Sequence, residues 1–71
     1  MKVKLKSNQI RKILAKKNLS QNWLAYRIDT STGYMSQLMG GSRNPSPKMR
    51  AKIQSILKDY EFKDLFKLVS K

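Results

Sequence analysis

The chain contains no cysteine and no histidine. Without cysteine there is neither a disulfide framework nor a thiolate metal site, and without histidine the imidazole zinc ligand and the commonest general base are also missing. Acidic side chains are scarce too: four in 71 residues, scattered as Asp29, Asp59, Glu61 and Asp64. That set leaves little from which to build a reactive centre, so an enzyme is not expected, nor is a metal or other cofactor. No apolar run approaches the roughly 18 residues of a membrane-spanning helix. The basic start, MKVKLKSNQ, is not followed by the apolar segment of a secretory signal. The expectation is a single cytoplasmic domain over residues 1–71 with no membrane partner. Its length lies near the lower limit for a core that is stable without staples.

Positive charge is what the chain has in excess. Sixteen Lys/Arg against the four acids give a net charge of +12. The imbalance is not uniform. Over residues 59–71 the acids Asp59, Glu61 and Asp64 cancel Lys63, Lys67 and Lys71, whereas residues 1–58 set thirteen bases against Asp29 alone. A small fold so charged repels itself and attracts polyanions, of which nucleic acid is the leading candidate.

Hydrophobic spacing divides the chain into short helices. Residues 1–6, MKVKLK, alternate apolar and basic side chains and form either a short strand or a basic arm, with the arm favoured and Leu5 tucked onto the core. Ser7 is placed to cap a first helix carrying Ile10, Ile13 and Leu14 at helical spacing, and Asn18 suits the left-handed residue that stops it. Ser20 caps a second helix, 21–28, with Leu24, Ala25 and Ile28 inward. Asp29-Thr30-Ser31 form a turn, and Ser31 caps a third helix that starts at Thr32 and ends before Gly40-Gly41. In this arrangement Gly33 lies within the first turn of helix 3. Ser46-Pro47 mark the start of a fourth helix with Met49, Ile53, Ile56 and Leu57 on one face. Phe62, Leu65, Phe66 and Val69 describe a last helix over 60–69. The fold class expected is all-α, a compact bundle of about five short helices.

Two short helices joined by a tight turn in a basic chain suggest a helix-turn-helix formed by helices 2 and 3. Specific residues extend the likeness: Ser20-Gln21 opening helix 2, Leu24-Ala25, Ser31 opening helix 3, Met35 and Leu38 at buried positions, then Gly41, Arg43 and Pro45. With Ile10-Arg11 upstream and Asp64-Leu65-Phe66 downstream, residues 7–68 resemble the XRE-type (lambda repressor-like) DNA-binding domain.

The resemblance implies double-stranded DNA as partner, a nucleoid-associated location, and helix 3 (about 32–39) in the major groove. Base reading falls to Thr32, Gly33, Tyr34 and Gln37. Gln37 is the most direct reader because an amide can pair with adenine through two bonds. Glycine at position 33 provides clearance for the backbone to approach the bases. Phosphate contacts fall to Gln21, Ser36, Arg43, Asn44 and Lys48. The chain departs from the family pattern at the turn, where Asp29 replaces the usual glycine, and at Leu14 and Met39, which replace a frequent buried arginine–glutamate pair with apolar partners expected to touch. Three functional expectations follow: a repressor of a prophage or mobile element controlling lysogeny, an antitoxin repressing its own operon, or a protein-contact module with a degenerate reading helix. Candidate protein contacts are a homodimer seam through Phe62, Leu65, Phe66 and Val69, and a patch at Trp23, over which Arg27 can stack.

Overall fold

Three of the helices begin where a serine hydroxyl takes up an amide that the helix itself cannot satisfy. The Trp23, Tyr34 and Met49 N–H groups donate to the Ser20, Ser31 and Ser46 Oγ atoms at 2.9, 3.1 and 3.1 Å, which meets the need of a helix start for side-chain acceptors. A computed structural model describes residues 1–70. It runs β1 (Lys2–Leu5), α1 (Ser7–Lys16), α2 (Gln21–Arg27), α3 (Thr32–Gly40), α4 (Pro47–Ile56), α5 (Phe62–Leu65) and β2 (Phe66–Val69). The serine-capped starts of helices 2, 3 and 4 and the placement of Gly33 inside α3 follow the sequence expectation. The Ser7 cap does not: Lys6 occupies the cap position, and the Ser7 hydroxyl donates instead to the Met39 carbonyl at 2.6 Å.

The stops use left-handed backbone. Asn18 ends the α1 segment at φ 58° and Asp29 leads out of α2 at φ 64°, while Gly41 closes α3 at φ 88°. A side chain at such a φ is crowded by its own carbonyl, least so for Asn and Asp among non-glycine residues. Asp29 therefore holds the turn in the conformation that glycine would hold with less strain. Behind it, Thr30 N–H reaches the Ala25 carbonyl at 2.9 Å.

The all-α expectation is corrected at both ends of the chain. Residues 2–5 form a strand rather than a free arm, and the expected helix over 60–69 stops after one turn. Phe66 takes extended angles (φ −130°, ψ 155°) and starts β2, which pairs antiparallel with β1 so that Leu5 faces Phe66, Lys4 faces Lys67 and Lys2 faces Val69. The physical reason is mutual. Four residues are too few to fix either period, and each segment on its own is marginal, but each supplies the backbone partners that the other lacks.

One core gathers all five helices and the sheet. It contains Ile10, Ile13, Leu14, Leu24, Ile28, Met35, Leu38, Met39, Ile53, Leu57, Leu65 and Phe66, and no polar or charged side chain is buried among the described residues. Leu14 and Met39 thus enter the same apolar interior, whereas Met49, expected there, is half-buried at its margin. Leu65 and Phe66 are consumed by this core, so the expected dimer stripe cannot present them to a second copy. Phe62, whose ring lies 4.8 Å from that of Phe66, remains at the surface.

The left-handed positions give opposite expectations. Gly41→Ala should lower unfolding free energy by about 1 kcal/mol, and Asp29→Gly should raise it by up to about 1 kcal/mol, measured by urea unfolding. Equal effects of one sign would contradict the turn geometry.

Candidate nucleic-acid interface

The candidate surface is built outward from Gly41. Its left-handed backbone turns the chain back on α3, so that the Ser42 and Arg43 N–H groups both close on the Gln37 carbonyl, at 3.1 and 3.3 Å. This return brings the Arg43 side chain over the outer face of α3. There its Nε–H donates to Gln37 Oε1 at 2.8 Å, and its guanidinium carbon lies 5.7 Å from the centre of the Tyr34 ring. Arg43 only donates, so the Gln37 atom facing it must be oxygen. The amide nitrogen of Gln37 then points elsewhere. Tyr34, Gln37, Ser42, Arg43 and Asn44 line one open recess.

A second group braces this surface from below. Lys4 on β1 donates to the Gly41 carbonyl and to Asn44 Oδ1, both at 2.9 Å. Together with the Ser7–Met39 bond, it occupies carbonyls at the end of α3, where the helix presents partial negative charge. These contacts also draw the Lys4 ammonium toward the loop, although Lys67 stands opposite in the sheet. Because lysine only donates, the Asn44 oxygen is used internally, while its NH₂ group has no partner among the described residues.

The expected site residues divide accordingly. Tyr34, Gln37, Arg43 and Asn44 are brought together in the recess. Thr32 and Gly33 are exposed at the start of α3 but do not line it. A β-carbon built at Gly33 meets nothing within 4 Å, so no packing inside the protein demands glycine there. Gln21 is half-buried, and its Nε2 donates to Ser36 Oγ at 3.3 Å, which joins the start of α2 to the middle of α3. Lys48 is exposed in the first turn of α4, away from the recess lining. The roles of Lys4 and Ser42 were missed by sequence reasoning. Only the alternation of MKVKLK, taken as a strand, pointed toward Lys4. Trp23 is half-buried with the Arg27 guanidinium 5.4 Å from its ring centre, as the i, i+4 spacing suggested.

Charge compensation is sparse. Among the described residues only Lys17–Asp59 at 3.4 Å and Lys63–Glu61 at 3.8 Å form ion pairs. Both are exposed to water, where such pairs contribute little. Neither involves a side chain of the recess. No helix among the described residues is long and apolar enough to cross a membrane. No family model, curated protein or solved structure matches the chain.

Two variants check this construction. Gly33→Ala should raise stability by about 0.5–1 kcal/mol, since open space receives the methyl and the helix loses its most flexible residue. Lys4→Met should accelerate amide hydrogen exchange of Ser42 and Arg43 while leaving the middle of α1 unchanged. Unaltered exchange at both places would show that Lys4 does not hold the loop.

Proposed function

We propose that the chain is a sequence-specific double-stranded-DNA-binding transcriptional regulator of the lambda repressor-like helix-turn-helix kind, with α2 and α3 as the two helices and α3 in the major groove. The observation that carries this is the cluster at Tyr34, Gln37 and Arg43. An arginine, an amide and a phenol are gathered on the exposed side of a serine-capped helix, and no acid among the described residues is bonded to any of them. Side chains of this kind suit the acceptor-rich edges and phosphates of DNA.

Roles follow from position. Thr32 and Gln37 read base edges, and Gly33 lets the backbone approach. Asn44, through its NH₂ group, and Lys48 grip phosphates on one side. Gln21 and Ser36 do so near the start of α2. Most of the affinity comes from phosphate neutralisation, so binding weakens steeply with salt. Two copies occupy half-sites about one helical turn (~34 Å) apart, and repression of a prophage or mobile element is the biological role that suits such a regulator. A second reading, a module that acts by protein contact, draws on one observation: Tyr26 is 80% exposed on the same short helix as the Trp23–Arg27 stack. Aromatic and arginine side chains of this type dominate protein interfaces.

Duplex binding by the wild-type chain separates the two, and Gln37→Ala tests the reader. That substitution should cost about 1–3 kcal/mol on a selected duplex and almost nothing on random DNA. Uniform weakening on both would remove Gln37 as a reader. A wild-type protein with no affinity for any duplex at about 50 mM salt would favour the protein-contact module.

A further inference from the structure

The bond between Arg43 and Gln37 alters what the recess can recognise. A free glutamine pairs with adenine by accepting from N6 through its oxygen and donating to N7 through its nitrogen. Here the oxygen accepts the Arg43 Nε–H at 2.8 Å, and the adjoining positive charge opposes the approach of a second donor such as the adenine amino group. Of the other groups lining the recess, the Gln37 and Asn44 NH₂ groups and the two terminal nitrogens of Arg43 only donate, the Tyr34 hydroxyl can donate, and the Ser42 hydroxyl already donates to the Gln37 carbonyl at 3.4 Å. The Tyr34 ring at 5.7 Å limits the swing of the guanidinium, and the Gly41 turn ties its backbone to the Gln37 carbonyl. Guanine is the base whose major-groove edge offers two adjacent acceptors, N7 and O6, and no donor.

We propose that Arg43 is a base-reading residue specific for guanine, held in place by Tyr34 and Gln37, rather than a contact to the phosphate backbone. This rests on the DNA-binding function proposed above and deepens it. Gln37 has two parts in it: its nitrogen donates beside Arg43, and its oxygen aims the arginine. Release of that oxygen should restore the adenine pairing that an unencumbered glutamine prefers.

The experiment is selection of binding sites from random duplexes by the wild-type chain and by Arg43→Ala, followed by titration of the selected duplex with 7-deazaguanine replacing each guanine in turn. Arg43 is exposed, and circular dichroism melts of each variant establish that it folds. The expected result is a guanine in each wild-type half-site whose 7-deaza replacement lowers affinity roughly five- to a hundredfold, with no such penalty for Arg43→Ala. The variant should select adenine more often at that position. A phosphate contact predicts something different: unchanged base preferences, weakening on all sequences alike, and a salt slope shallower by about 0.9. That result would overturn the assignment of Arg43 and leave the DNA-binding function standing. A wild-type chain that binds duplexes but selects no sequence would overturn both sequence reading and the guanine assignment.

Discussion

The antiparallel pairing of the two chain ends is the constraint on which the candidate surface depends. β1 and β2 hold each other in extended form, with Leu5 and Phe66 directly opposed in the core. That placement brings Lys4 to the Gly41 carbonyl and to Asn44, and brings Ser7 to the Met39 carbonyl. The end of α3 is therefore fixed by residues more than thirty positions earlier in the chain. Fixed in this way, the Gly41 turn can return Arg43 to Tyr34 and Gln37. Loss of the strand pairing would leave the helices their serine caps and apolar faces but would free the loop that completes the recess.

What could be read from the sequence is what depends on near neighbours. Ser20, Ser31 and Ser46 each act on an amide three residues away, and the left-handed stop at Asn18 is equally local. The buried faces of helices 1 to 3 follow from period alone. The strand pair was not legible, because Phe62, Leu65, Phe66 and Val69 satisfy the helical period even though Phe66 starts a strand, and the competing partner lies sixty residues away. Ser7 looked like a cap for the same local reason, but a carbonyl from α3 claims its hydroxyl. Of the site, the identities of Tyr34, Gln37, Arg43 and Asn44 were readable, but not the bonds among them. Those bonds require knowing that the Gly41 turn folds the loop backward and that Lys4 secures it.

Charge places a second constraint on the molecule. With a net +12 and two exposed ion pairs among the described residues, the fold is held by its apolar core against its own electrostatic repulsion. Added salt screens that repulsion over a distance of about 10 Å at 0.1 M, so it relieves the fold while it weakens attraction to a polyanion. A bound polyanion would relieve the same repulsion by neutralising the surface. The core is suited to this because, among the described residues, it buries no polar or charged side chain whose interactions salt would screen.

Within the candidate surface, charge and shape are divided between helix and loop. α3 itself carries no charged residue. Its exposed positions Thr32, Gly33, Ser36 and Gln37 are all uncharged. The positive groups come from the loop that follows, where Arg43 is folded back over the helix, and from the start of α4 at Lys48. A helix lined with lysines would be drawn to any phosphate in any register. A neutral helix with one arginine, restrained by an amide oxygen and an aromatic ring, instead concentrates its charge at a single defined point. If a polyanion is the partner, as proposed, long-range attraction from the other twelve bases of residues 1–58 would bring it near without deciding the register, and that decision would fall to Arg43 and the side chains that hold it.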